Sequence, residues 1–298
     1  MSGGVAGTVA STITNPLEVV KTQLQSSNQM ALLHGRADKV QAVTQSILEA
    51  DGISGFWRGL PATLFGIIPA RSIYFYSYQR SKKALGPYLA EGSPANAMIA
   101  GFMAGIAGNT VTNPIWMVRT RMQLLADAAS GQRAYSGYLD AIQTIFKEEG
   151  IKGFYKGVAA SYWGCAEGGI QFLIYEQLKR NLLLRKNNKL AQEGLPADDH
   201  LSEITLFFSA AVSKMVGSII TYPHEVARTR MREQSKLGVF RYKGMWHTLD
   251  IIAKEEGRQG LYSGMGVHLL KVVPNSALMF LTYEMVRKWL NQFEIQES

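Results

Sequence analysis

Three short stretches of this 298-residue chain repeat one another: Asn15-Pro16-Leu17-Glu18-Val19-Val20-Lys21, Asn113-Pro114-Ile115-Trp116-Met117-Val118-Arg119 and Tyr222-Pro223-His224-Glu225-Val226-Ala227-Arg228. Each puts a base five residues after a proline, and two of them put a glutamate two residues after it, where the middle copy has Trp116. The prolines lie 98 and 109 residues apart. A second motif keeps the same interval: Asp51-Gly52 with Phe56-Trp57-Arg58-Gly59, Glu149-Gly150 with Phe154-Tyr155-Lys156-Gly157, and Glu256-Gly257 with Leu261-Tyr262-Ser263-Gly264. A third closes each unit, as Tyr78-Gln79-Arg80-Ser81-Lys82, Tyr175-Glu176-Gln177-Leu178-Lys179 and Tyr283-Glu284-Met285-Val286-Arg287. Three motifs in one order, three times over, confine the chain to folds with three equivalent units.

Each unit reads as a long helix kinked at its proline, a polar loop with a short helix, and a second long helix. The short helices are expected over Asp38–Ala50, Ser136–Glu148 and Lys243–Glu255, and Leu184–Ser202 as a mobile polar loop. No run of twenty residues is uniformly apolar, yet Gly3–Val20, Ala97–Thr112 and Ile204–Tyr222 come close. Helices that line a polar cavity inside a membrane read this way, because one side only faces lipid. Small residues four apart, Gly3/Gly7/Ser11, Gly101/Gly105 and Ser209/Ser213/Gly217, suit close helix contacts in lipid.

The net charge of +8 suits an anionic solute, a membrane surface or nucleic acid. Its distribution decides against nucleic acid, since 18 of the 31 Lys and Arg fall in the windows Lys21–Arg58, Arg119–Lys156 and Arg228–Arg258, one after each proline motif. Such spacing follows the positive-inside bias of membrane connections. The one cysteine, Cys165, excludes an intramolecular disulfide and a cysteine-based zinc site. The opening Met1-Ser2-Gly3-Gly4 lacks a basic n-region, so no signal peptide is expected.

The thrice-repeated Pro-x-[Asp/Glu]-x-x-[Lys/Arg], with the acidic-glycine and aromatic-basic-glycine motifs beyond it, resembles the mitochondrial carrier family over the whole chain. Asn113-Pro114-Ile115-Trp116 and the run Tyr222–Arg230 are similar to the subgroup that carries pyrimidine nucleotides. Relatives carrying flavin, folate or NAD share the tryptophan, so those solutes and purine nucleotides stay open. The resemblance implies an all-α membrane protein of the mitochondrial inner membrane. It has six tilted transmembrane helices in three pseudosymmetric repeats, with three short matrix-side helices. One carrier domain then covers 1–298, with repeats over 1–90, 91–190 and 200–298, working as a monomer by alternating access.

A local pairing of Glu18 with Lys21, or of Glu225 with Arg228, would contribute only about 0.2–0.5 kcal/mol. The resemblance instead implies interhelical pairs closing the matrix end, Glu18 with Arg119 and Glu225 with Lys21. Trp116 supplies no acid for Arg228, so two pairs are expected there and not three. Family braces match Gln25 and Gln123, and Arg232 stands at the third position. At the cytoplasmic end the implied pairs are Glu176 with Arg287 and Glu284 with Lys82, while Gln79 faces Lys179. Arg58-Gly59 and Lys156-Gly157 resemble the family's cardiolipin sites; Ser263 breaks the third.

Substrate is expected among residues that break the repeat. Aligning the second helices sets Gly66, Trp163 and Lys271 at one level and Ala70, Glu167 and Asn275 a turn on, with Arg71 beside them. Aligning the first helices sets Lys214 against two glycines. Helical rise puts Lys214 about 14 Å from its proline and Lys271 about 20 Å from Glu284. Both would then lie near mid-membrane, where a charge is costly and functional by default. Lys214, Lys271 and Arg71 suit phosphate oxygens, Glu167 an amino or imide group, and Tyr74, Trp163 and Asn275 a base. Gly66 and Gly164 would leave room for sugar or base. A membrane-bound nucleotide-handling enzyme is the reading from another class, but a Walker loop, a metal cluster and a Ser/His/acid set are all missing from the sequence. No cofactor or metal is expected.

Overall fold

The computed structural model describes residues 2–33, 36, 38–89, 93–125, 134–196, 198, 200–233 and 241–272. Among them there is no strand. Helices α1 (Ser2–Gln25), α2 (Ser27–Leu32), α3 (Lys39–Asp51) and α4 (Leu60–Leu85) form the first unit, with a 3-10 turn over Ile53–Trp57. The second unit holds α5 (Pro94–Gln123), α6 (Tyr138–Gly153) and α7 (Val158–Gln192). The third holds α8 (Glu203–Thr221), α9 (Pro223–Arg232), α10 (Met245–Glu255), α11 (Gly257–Leu261) and α12, helical over 265–272.

Pro16 and Pro114 lie inside α1 and α5, whereas Pro223 divides α8 from α9. Tyr222 keeps a right-handed helical backbone, φ −50° and ψ −38°, so the chain runs on although the proline breaks the hydrogen-bond ladder. In α1 the carbonyl four residues before Pro16 has lost its usual donor. The indole Nε1 of Trp57 donates to that Thr12 oxygen at 3.2 Å.

The residue before each proline ties its helix to the turn ahead of the next long helix. Asn15 Nδ2 donates to Phe56 O at 2.7 Å, Asn113 Nδ2 to Phe154 O at 2.6 Å, and Tyr222 Oη to Ser263 O at 2.9 Å, each across 41 residues. The glycine that ends each turn adopts positive φ, 79° at Gly59, 75° at Gly157 and 77° at Gly264. A Cβ there would stand 3.2 Å from Arg119 O at Gly59, 3.1 Å from Arg228 O at Gly157 and 3.1 Å from Lys21 O at Gly264. Unit one thus presses on unit two, two on three, and three on one.

The buried apolar side chains gather where the proline-flanked helices meet the short ones: Val19, Val43 and Ile47; Met117, Ala141 and Ile145; Val226 and Ile252. Elsewhere large apolar side chains stand exposed, among them Phe65, Ile68 and Phe75 on α4 and Phe207 and Phe208 on α8. Among the described residues, α8 is the one helix long and apolar enough by composition alone to cross a membrane.

Two expectations change. Leu184–Ser202 is no loop over its first half, because α7 runs on to Gln192 and spans about 52 Å. Its end is held by Lys186 Nζ, 2.5 Å from Asp198 Oδ2, and by Asn187 Oδ1, which accepts from Asp198 N at 2.9 Å. The second short helix starts at Tyr138 and continues through Gly150, whose φ of 65° and ψ of −164° divide it into two pieces.

Arg121 Nη2 lies 2.6 Å from Glu149 Oε1, each side chain 1% exposed, and Arg230 Nη2 lies 2.7 Å from Glu256 Oε2. In the first unit Gln23 stands at that place and donates to Gln123 O at 2.6 Å, while Asp51 pairs with Arg58. Arg121→Leu leaves the buried Glu149 carboxylate with Lys156 as its one base among the described residues and should cost up to about 3 kcal/mol. It should therefore lower Tm in detergent, and the double change Arg121→Leu with Glu149→Leu should recover most of the loss; an equally low Tm in the double variant would count against this account.

Candidate functional site

The bases and acids of the proline motifs meet where α1, α5, α9 and α12 converge. Lys21 pairs with Glu225, and Arg119 Nη2 lies 3.1 Å from Glu18 Oε1. Each carboxylate serves more than one base. Lys271 on α12 also pairs with Glu18, while Arg228 Nη2 lies 3.4 Å from the other oxygen of Glu225 and His268 Nδ1 lies 3.9 Å from Glu225. Two carboxylates therefore face four permanent cations, Lys21, Arg119, Arg228 and Lys271. Both acids are largely buried, with side chains 13% and 15% exposed, which strengthens their attractions and raises their desolvation cost.

Trp116 stands where a third carboxylate would complete the set. Its Nε1 donates to Thr112 Oγ1 at 2.8 Å, and the Arg119 guanidinium lies 5.6 Å from its ring centroid. Gln25 donates to Tyr222 Oη at 2.9 Å and accepts from Thr229 Oγ1 at 2.8 Å. Gln123 accepts from Thr22 Oγ1 at 3.2 Å. Among the described residues neither amide bonds to the ion pairs.

Most of the residues expected to hold substrate meet protein partners. Lys214 Nζ lies 2.6 Å from Glu167 Oε1, and Ser218 Oγ donates to the same oxygen at 2.7 Å. Lys271 sits at the acid cluster, paired with Glu18, since α12 begins close behind Gly264, which abuts Lys21. Arg71 reaches toward α1, its Nη2 3.8 Å from a Cβ placed on Gly7. Trp163 packs edge-on against Trp246, ring centroids 5.4 Å apart, and so is directed at a neighbouring helix. Gly66 and Gly164 make room for protein: an added Cβ would meet Trp116 Cη2 at 3.2 Å and His224 Nε2 at 2.7 Å. Asn275 lies outside the described residues.

Tyr74 reaches a cavity of about 360 Å³ between α4, α5, α7 and α9, which Trp116, Arg119, Arg228 and Arg232 also line. At the other end of the helices, Gln79, Lys82, Glu176 and Lys179 have no ion pair among the described residues; Glu284 and Arg287 lie outside them. Of the bases expected at lipid, Arg58 is paired with Asp51, and Lys156 Nζ lies 2.7 Å from Glu149 Oε2. Burial pushes the Lys156 ammonium below its ordinary pKa, against the opposing pull of Glu149.

The family model for mitochondrial carrier protein matches three times, over residues 1–89, 90–186 and 199–294. The chain belongs to the mitochondrial carrier family. This carrier is 38% identical to solute carrier family 25 member 36-A of Danio rerio, with 97% of the chain and 96% of the relative covered. It is 34% identical to the mitochondrial pyrimidine nucleotide transporter RIM2 of Saccharomyces cerevisiae, over 98% of the chain and 85% of the relative. It is also 35% identical to solute carrier family 25 member 33 of Homo sapiens, over 96% and 92%.

Sequence reasoning missed Lys271 on Glu18, His268 near Glu225 and the burial of Arg232 in the carrier. The helical spacing of Gly264, His268 and Lys271 is the signal that puts these on the face turned to Lys21. Glu18→Gln takes the partner from both Arg119 and Lys271, whereas Lys271→Gln leaves Glu18 on Arg119. Glu18→Gln should lower Tm by more, with a cost of about 3 kcal/mol or above; equal shifts would mean that Arg119 draws nothing from Glu18.

Proposed function

We propose that the chain exchanges pyrimidine nucleotides, phosphates of the UTP, CTP and TTP type, across the mitochondrial inner membrane by alternating access. The observation that carries this reading is the likeness over nearly the whole chain to a transporter named for pyrimidine nucleotides. The surplus of cations at the convergence of α1, α5, α9 and α12 supports an anionic solute.

In this reading six tilted spans cross the membrane, namely α1, α4, α5, α7, α8 with α9, and the helix that α12 begins. The pairs Lys21–Glu225 and Glu18–Arg119 close the matrix end, and Gln79, Lys82, Glu176, Lys179, Glu284 and Arg287 close the cytoplasmic end when they meet. In this reading the pairs Lys21–Glu225 and Glu18–Arg119 belong to the form shut toward the matrix. Each gate breaks once per cycle, so bound solute must favour the intermediate in which neither is shut. Lys214, Glu167, Arg71 and Tyr74, on the helices above the gate, remain the residues that select the solute. Cardiolipin is held at Gly59 and Gly157, where helix N-termini offer backbone N–H groups, and the working unit is a monomer.

Purified protein reconstituted in liposomes loaded with UTP should take up labelled UTP, with CTP and TTP competing better than ATP, NAD, folate or flavin. Lys214→Ala, which strands Glu167, should cut the rate at least tenfold. Stronger competition by a flavin, folate, NAD or purine nucleotide would assign that solute in place of pyrimidines, and no exchange with any nucleotide would sink the proposal.

A further inference from the structure

One buried cation of the carrier has no acid among the described residues. Arg232 is 4% exposed, and its guanidinium reaches neutral acceptors only: Asn113 Oδ1 at 2.7 Å, Thr120 Oγ1 at 3.4 Å and Ser161 Oγ at 3.4 Å. Its Nε has no partner among the described residues. Removing a charge from water without an opposing charge is expensive, and the two equivalent positions carry the neutral Gln25 and Gln123. A glutamine would satisfy the same neutral acceptors without that cost, so the charge itself calls for an anion.

The surroundings supply a place for one. Arg232, Arg228 and Arg119 line the cavity of about 360 Å³ beside Trp116, within the size range of ligand sites, and no carboxylate is among its described lining residues. Asn109 and Thr112 add polar groups along α5, and Tyr74 lies on the α4 side. Arg228 and Arg119 meet carboxylates that they share with Lys21 and Lys271, so neither acid is theirs alone.

The geometry points to a phosphate subsite here: the phosphate tail of a nucleotide enters beside Trp116 and takes the part of the missing third carboxylate, held by Arg232, Arg228 and Arg119. This rests on the nucleotide-exchange reading above. Guanidinium groups bind phosphate through paired, charge-assisted hydrogen bonds, and a triphosphate offers enough oxygens for all three. The site also links binding to opening. Phosphate oxygens on Arg119 and Arg228 compete with Glu18 and Glu225 for the same donors, so an occupied site weakens the pairs that hold the matrix end shut. Phosphate would act on the gate directly, in contrast to Lys214 and Glu167, which meet neither gate carboxylate.

Thermal stability in detergent tests the site apart from transport. Inorganic tripolyphosphate should raise the Tm of the unaltered protein with increasing concentration, and uridine should not. Arg232→Gln and Trp116→Glu, which remove the buried cation and restore the acid respectively, should each abolish the rise; Arg232→Lys should retain part of it. An undiminished rise in both variants, or none in the unaltered protein, overturns the subsite. In liposomes, Arg232→Gln should narrow the preference for UTP over UMP about tenfold, the worth of one charge-assisted bond. A lost Tm rise with an unchanged UTP-to-UMP preference would show an anion site that does not serve the nucleotide and overturn that assignment. If the unaltered protein exchanges no pyrimidine nucleotide, the function reading fails while the tripolyphosphate result still decides the subsite.

Discussion

Charge held away from water must be answered nearby by opposite charge, and the convergence of α1, α5, α9 and α12 is arranged around that requirement. Glu18 and Glu225 each collect two strong bases, so removing any one base leaves no carboxylate wholly alone. Sharing of this kind makes the cluster tolerant of rearrangement. Cations can pass a carboxylate from one to another as helices shift, without a stage at which a buried acid stands bare.

Rigid and deformable parts are separated along the helices. At the proline motifs the side chains are buried and polar contacts are dense: Asn15, Asn113 and Tyr222 fix the turns, and Arg121 and Arg230 fix the short helices. Away from them, exposed phenylalanines and small residues dominate α4 and α8. Faces that rest on lipid lose little when neighbouring helices slide, because lipid chains replace protein contacts of the same apolar kind. The dense polar contacts thus lie at the proline motifs, and the exposed apolar side chains away from them.

Much of this was legible in the sequence because the repeat made each motif a check on the other two. The family and the helical units followed from motif spacing, and the pairs Glu18 with Arg119 and Lys21 with Glu225 from the family resemblance. Registers that no motif pins were harder to read. Alignment by way of Glu284, through a long helix, gives a depth for Lys271 but not its partner, which is Glu18. Gly66 and Gly164 signalled close space but not its occupant, which is Trp116 in one case and His224 in the other. The polarity of 184–192 read as a loop, although Leu184, Lys186, Lys189 and Leu190 also suit a solvated helix. Which face Trp163 takes depends on Trp246, more than eighty residues away, and local pattern carries no such information.

The cyclic contacts at Gly59, Gly157 and Gly264 bear on ancestry. Each turn is tied to its own unit through the residue before the proline and also presses on the unit that follows, so a solitary unit has an uncovered surface at either side. Three identical copies would close such a head-to-tail interface into a ring, as a homotrimer with a true threefold axis does. In that assembly every change is made three times, and a tryptophan at one proline motif would appear at all three. Only fusion into a single chain lets one sector drop its acid while the other two keep theirs, and an asymmetric cargo needs that freedom.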